Sequence, residues 1–345
     1  MSQLDWPMTA ERAALAGAVL DMSQGNAPLP ALDAAGIPWI GIPEERGGPG
    51  GDATDLAVAI RVLASQAVDA HVAETGFIGS WALAMCGVAY PDVHLAPAFD
   101  LGVSVTVHEE AGAWFISGQA PQVPGVEGAR WVLVPAQRDD GMLLALVPIS
   151  EAGLVEGSSL AGEARTDVSF DDARADALLD LPEGISWIDL HARLALARAI
   201  QISGALIGMR DLSVGYARTR EQFGKPIVEQ QAVAHMLASI AEQALLAEAA
   251  VATAINAPSV WNCAIAKSIT SRAARSASAS AHQVHGAMGM SQEYPLGRFT
   301  TRLWSWAEEG GRPEAWELWI GTRFLEQDQP QLWNSIVDAM EGTNT

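Results

Sequence analysis

Tyr216-Ala-Arg-Thr-Arg-Glu-Gln-Phe-Gly-Lys-Pro-Ile-Val-Glu-Gln-Gln231 is the stretch whose reading decides the fold. It separates two long helical patterns and interrupts both. Pro226 has no amide hydrogen and disfavours helix at Lys225, while Gly224 accepts backbone angles that a helix does not use. Arg218, Arg220 and Lys225 gather positive charge at the interruption of a chain whose formal net charge is −21. Such cations either offset the dipole at a helix C-terminus or await an anionic ligand or partner.

The pattern before the interruption starts near Trp187 and places Leu196, Ile200, Ile207 and Val214 on one helical face. Gly204, Ala205 and Gly208 would let a neighbouring helix approach closely. After the interruption, Val233, Leu237, Ile240, Ala244 and Val251 form a second stripe, and the small residues of 270–281 continue as a third helix. Long amphipathic helices joined by short breaks predict a helical bundle. Upstream, from about residue 100, the period falls to two. Val103, Val105 and Val107 alternate, and 114–117, 131–134, 142–147 and 168–170 are further short β-rich runs separated by turn residues. That spacing predicts a small barrel or sandwich. Residues 1–97 read as mostly helical, with Asp52 capping a helix through Leu56, Ile60 and Leu63 after the Gly47–Gly51 loop. Phe77 to Val88 reads as a buried helix. The expected division is 1–97, 98–182 and 183–345, with Leu181-Pro182-Glu183-Gly184 as the second boundary.

A chain of 345 residues with 49% hydrophobic residues can bury a large core. Its 41 acidic against 20 basic residues argue against a nucleic-acid partner, which requires a basic face. Cys86 and Cys263, the only cysteines, give neither a disulfide framework nor a metal site, which fits a reducing compartment. The N-terminus shows no signal-peptide pattern, and no uncharged apolar run reaches membrane-spanning length, so a cytoplasmic protein is expected.

Three segments together resemble the acyl-CoA dehydrogenase family. "R-x-x-F-G-K-x-I-x-x-x-Q" at 220–231 is similar to that family's helix-turn-helix segment. Gln283-Val-His-Gly-Ala-Met-Gly289, with Glu293-Tyr-Pro-Leu296 and Arg298, resembles "Q-x-H-G-G-x-G…E-Y-P…R". Ala35-Gly-Ile-Pro-Trp-Ile-Gly-Ile-Pro-Glu-Glu-Arg-Gly-Gly-Pro-Gly50 resembles "Gly-(apolar)…Pro-Glu-x-x-Gly-Gly-x-Gly". The resemblance implies a mainly α, α+β fold: an N-terminal helical domain, a middle small β-barrel and a C-terminal four-helix bundle. It also implies α,β-desaturation of an acyl-CoA thioester, FAD as cofactor and an electron-transfer flavoprotein as acceptor. In that chemistry a glutamate takes the α proton and the flavin takes the β hydride.

The resemblance carries site residues with it. Arg220 matches the arginine that pairs with the flavin pyrophosphate, a role suited to a guanidinium fork. Gln222 and Phe223 match its flanking contacts, and Ile227 and Gln230 match adenine-side positions. Gln283, Val284, Gly286 and Ala287 match the stretch that approaches the pyrophosphate through its backbone. Ala287 replaces a second glycine. The base position of "Y-E-G-T/S/N" falls on Glu309 after deletion of one residue, with Arg312-Pro313 in place of the following threonine. The alternative base position falls on Leu194, which cannot act as a base. In the middle domain Thr106–Gly112 and Ile116–Gly125 replace "T-E-P-x-A-G-S-D" and "N-G-x-K-x-W-I-T/S-N", without the lysine, the indole or the hydroxyl. In the family, the neighbouring subunit's bundle covers the pyrophosphate and adenosine end of each flavin.

One half of a site retained and the other eroded resembles the shortened subunits of bacterial heterotetrameric, steroid side-chain dehydrogenases, whose flavin sites form at unlike interfaces. Trp304, Trp306, Trp316 and Trp319 fit the tryptophan-rich ending of those subunits, and core packing accounts for them equally. The alternatives are a self-sufficient homo-oligomer using Glu309 as base and a non-catalytic scaffold subunit. No metal site is expected.

Overall fold

A computed structural model describes residues 8–325 except 26, 27, 69, 91 and 140. The N-terminal stretch read for a signal peptide lies largely outside the described residues. The chain packs as two compact units: one from residues up to Gln24, Ile60–Val68 and Arg198 onward, the other from Gly25–Ala59 and Asp69–Ala197.

Helices α1 (Ala10–Ser23), α2 (Pro28–Ala34), α3 (Ala53–Ser65) and α4 (Trp81–Met85) make up the first stretch. Asp52 caps α3 as expected. Its carboxylate accepts from Thr54 N at 2.7 Å and Asp55 N at 2.9 Å, and Asp55 Oδ2 returns a bond from Asp52 N at 2.9 Å. The run expected as an ordinary buried helix begins instead as a π-helix, Ala73–Ser80, leading into α4. Close backbone approach accompanies that wide turn: a Cβ on Gly76 would lie 2.4 Å from the Pro38 carbonyl oxygen, and one on Gly79 3.1 Å from Leu95.

The β-rich runs form strands β1 (Leu95–Pro97), β2 (Ser104–Glu110), β3 (Ala113–Val123), β4 (Trp131–Arg138), β5 (Gly141–Pro148), β6 (Gly153–Val155), β7 (Thr166–Arg174) and β8 (Ala177–Asp180). Their order is β6-β7-β3-β2-β4-β5-β8, with β1 beside β4. The expected barrel is therefore not closed. β6 and β8 lie at opposite ends, and β2 meets β4 through the single pair Thr106–Gln137, because β1 takes the neighbouring length of the same edge. Ile116, Val132, Val134, Ala145, Val147 and Phe170 are among the side chains of the sheet's core.

Helices α5 (Trp187–Thr219), α6 (Gln231–Asn256), α7 (Val260–His285), α8 (Leu296–Glu308) and α9 (Pro313–Leu325) follow. The α6 stripe is buried as expected. On α5, Ile207 and Val214 are only half-buried, while Ser203 and Ser213 are fully buried. Each hydroxyl is satisfied inside the helix, Ser203 on Ile200 O at 3.0 Å and Ser213 on Met209 O at 2.8 Å. A pattern that counts only apolar residues passes over them. The close approach expected at Gly204 and Gly208 occurs: added Cβ atoms would lie 2.2 Å from the carbonyl oxygens of Arg61 and Ser65. α5 and α6 are long and apolar enough, by composition, to cross a membrane; 78% of the apolar window of α5 and 33% of that of α6 are buried within the fold.

Candidate functional site

Helix α5 stops at Thr219, and the interruption folds as a small hairpin. Glu221–Gln222 pairs antiparallel with Lys225–Pro226, and Ile227 N donates to Arg220 O at 2.8 Å. The two turn residues, Phe223 at φ 56° and Gly224 at φ 80°, both have the positive φ of a tight hairpin turn. Glycine takes that angle freely, whereas for a bulky residue it is an outlier of the kind that clusters at functional sites. Phe223 is also 90% exposed. Arg220 and Gln222 are exposed, and Arg220 makes no ion pair among the described residues, although the chain is strongly acidic. Ile227 is buried. Gln230, the residue before α6, has a buried side-chain amide nitrogen with no partner among the described residues.

Helix α7 ends at His285. Gly286 at φ 57° and ψ −139° occupies a region that side chains other than glycine's avoid. Gln283, Gly286 and Ala287 are exposed and Val284 is buried. Gly289 is fixed by packing, since its Cβ would lie 2.9 Å from both His285 Cβ and Leu296 Cδ2.

A ring cluster joins these segments. Tyr216 in the last turn of α5 stacks on His285 at 4.6 Å, and Tyr294 approaches Tyr216 at 6.0 Å and His285 at 5.2 Å. His285 Nδ1 lies 2.8 Å from Ala281 O. A carbonyl only accepts, so Nδ1 carries the proton and Nε2 is bare, buried and without a partner among the described residues. Burial pushes the His285 pKa below its ordinary 6.5, against the Ala281 bond, which raises it. Burial also lowers that of His282, which stacks on Trp304, and raises the Tyr294 phenol. Sequence reading missed Tyr216 and Tyr294 because tyrosines beside motif residues look like ordinary core.

Glu309 lies at the break between α8 and α9, followed by Gly310 and Gly311, both at positive φ. Its carboxylate is engaged: Oε2 lies 2.8 Å from Nε of Arg198, which is 1% exposed. Fully buried Lys267 donates to Trp306 O at 2.8 Å and Ala307 O at 2.7 Å, closing the end of α8. Trp316 Nε1 bonds Gly310 O at 2.7 Å. On the outer side Arg275 bridges Glu308 and Glu314, each at 2.8 Å. Leu194 is buried. Of the tryptophans in this ending, Trp306 and Trp316 are core residues, while Trp319 packs at 6.1 Å from Trp261.

The middle-domain stretch differs in kind. Gln122, at the family's indole position, has φ 54°, and both its amide nitrogens bond Asp167 Oδ1, at 2.8 and 3.2 Å. Pro124 and Gly125 occupy the positions of the expected hydroxyl and amide residues. On the same sheet His108, Glu110 and Asp172 bring ligand atoms within 4.8 Å of one another, but all three are exposed. A direct His108–Asp172 pair at 3.2 Å accounts for part of that approach.

The hairpin and the α7 turn thus offer an unpaired guanidinium, an exposed backbone turn at a glycine and an orphaned amide donor, a set that fits an anionic, nucleotide-like group such as the pyrophosphate and adenine end of FAD. In the 122–125 stretch both nitrogens of Gln122 are taken by Asp167, and Pro124 has no amide hydrogen.

Residues 187–316 match the family described as acyl-CoA dehydrogenase, C-terminal domain. The chain is 27% identical over 276 residues to the acyl-CoA dehydrogenase IpdE2 of Mycolicibacterium smegmatis, covering 79% of each chain. Its fold matches the ChsE4–ChsE5 complex of Mycobacterium tuberculosis with TM-score 0.82 and 21% identity, over 94% of this chain and 100% of the other. It matches the Tcur3481–Tcur3483 steroid ACAD with TM-score 0.82 and 20% identity, over 92% and 98%.

Proposed function

The chain belongs to the acyl-CoA dehydrogenase family, and on that premise we propose that it is a subunit whose hairpin and α7 turn complete an FAD site held mainly by a related partner chain. The family supports an oxidoreductase acting on an acyl-CoA. The proposal adds the unlike partner, a bulky or steroid-derived acyl chain, an electron-transfer flavoprotein as acceptor and a cytoplasmic setting. The substrate class and the partner rest on likeness to the steroid ACAD and to the ChsE4–ChsE5 complex.

One observation carries the reading: Arg220 is exposed and unpaired among the described residues beside a strained, exposed Phe223. An exposed guanidinium that no carboxylate of this acidic chain engages is available to another anion. In this reading Arg220 would hold the pyrophosphate, Gly286 would let backbone approach it, and Gln230 would satisfy its orphaned amide on the adenine. Gln222, Phe223, Ile227, Gln283, Val284 and Ala287 shape the surrounding surface. Bound FAD supplies the hydride acceptor for the β-carbon. The partner supplies the carboxylate that takes the α proton, because Glu309 is committed to Arg198.

The chain purified alone is expected to be colourless and to acquire flavin absorbance only with its partner. Stoichiometric yellow flavin with acyl-CoA turnover by the lone chain would overturn the reading. The self-sufficient alternative is favoured by the position of Glu309 at the α8–α9 break. Under it, Glu309→Gln abolishes flavin reduction by substrate while flavin stays bound; under our reading, reduction in the assembly persists.

A further inference from the structure

We infer that Tyr216 is a positioning residue of this half-site, the ring that fixes the Arg220 hairpin relative to the Gly286 turn. The inference rests on the reading above and concerns how two separate segments are held in one geometry.

Tyr216 is attached to both segments. Its carbonyl accepts from Arg220 N at 2.8 Å and from Thr219 Oγ1 at 3.2 Å, so the first residue of the hairpin hangs on it. Its ring stacks on His285 at 4.6 Å with 27° between planes, and its hydroxyl reaches His285 O at 3.4 Å. His285 is covalently joined to Gly286, and its ring is held by the Nδ1 bond to Ala281 O at 2.8 Å. Tyr294, from the Glu-Tyr-Pro stretch, closes the other side of both rings. The path from Arg220 to Gly286 thus runs through one hydrogen bond, one ring stack and one peptide unit.

The hairpin itself is otherwise weakly held. It is exposed from Arg220 to Lys225, and its only buried residue before α6 is Ile227. Ligand groups placed on a short exposed hairpin need a rigid support if two phosphate oxygens are to be met together. A planar ring between two helix ends provides it, because a stack restrains rotation as well as distance. The hydroxyl at 3.4 Å contributes little at that length, so the ring carries the role.

The test uses the assembly captured from its native host through a tag on this chain, with FAD as probe. FAD dissociation is measured on dilution by flavin fluorescence, and thermal unfolding is measured in parallel. Arg220→Ala calibrates the site and is expected to weaken FAD binding. Tyr216→Leu is expected to raise the FAD dissociation constant by about threefold to tenfold, the scale of one lost aromatic pair, at temperatures well below unfolding. Tyr216→Phe, which keeps the ring, is expected to stay near the parent. In the Arg220→Ala background Tyr216→Leu is expected to add less than it does alone, as for two residues acting through one contact. His285→Leu, which removes the same stack from the other helix, carries the test if Tyr216→Leu does not fold. Lowered unfolding temperature with unchanged FAD dissociation, in variants where Arg220→Ala does weaken FAD, would overturn the inference and leave the half-site reading standing. No effect of Arg220→Ala, or no FAD in the parent assembly, would remove the half-site reading and this inference with it.

Discussion

Arg198 and His285 are buried polar side chains whose partners determine what they do. Arg198 sits against Glu309, whose side chain keeps 19% of its surface exposed. Arg198→Met leaves that carboxylate without its cation and is expected to cost about 3 kcal/mol by urea unfolding, the low end for breaking a buried pair because Glu309 is partly solvated. Glu309→Gln is expected to cost less, since it keeps a hydrogen-bonding oxygen beside the guanidinium. His285 answers to pH. Its pKa is depressed in the folded chain, mainly by burial. Below the ordinary value of 6.5 the unfolded chain therefore binds more protons than the folded one, and acid favours unfolding. Stability should be full above that value and fall as pH drops towards the folded pKa, by at most about 1.4 kcal/mol per pH unit for one proton. His285→Gln should flatten the slope in unfolding midpoints taken between pH 7.5 and 5. Part of the slope should survive, because His282 is shifted in the same direction.

The element scale shows what a linear chain declares about itself. Gly204 was readable as a close-approach residue, and its Cβ would lie 2.2 Å from the Arg61 carbonyl oxygen. Alanine is the better helix former by about 1 kcal/mol, but a backbone carbonyl cannot move aside. Gly204→Ala is therefore expected to lower stability by about 3 kcal/mol or more. Gly215 lies on the same helix with nothing within 4 Å of its Cβ, and Gly215→Ala should raise the urea midpoint instead. The β-rich runs, the Asp52 cap and the α6 stripe were legible because each rests on neighbours in sequence. The open sheet was not, since closure depends on which strand occupies an edge, and β1 takes part of an edge that β2 would otherwise extend along. The π-turn at 73–80 was not legible either, since nothing local distinguishes it from an apolar helix. In the candidate site the cations and glycines stood out by chemistry. The Arg198 partner of Glu309 did not, because 111 positions separate the two residues.

At the scale of the whole molecule, a half-site has a thermodynamic signature. A ligand stabilises only the species that binds it, by about 2.7 kcal/mol at a hundredfold excess over its dissociation constant. FAD added to the lone chain is expected to leave its unfolding temperature unchanged, and FAD added to the assembly to raise it; a scan of both by differential fluorimetry decides the matter. The open sheet has a practical consequence of its own. Its β6 margin is three residues long, with Leu154 43% and Val155 67% exposed and Leu160 close behind in sequence at 67%. A free margin of that kind is a template for a strand from another molecule, and its shortness limits how far such pairing can spread. When this protein is concentrated for crystallisation or storage, that margin is where colloidal self-association should begin, and a single lysine placed there would blunt it.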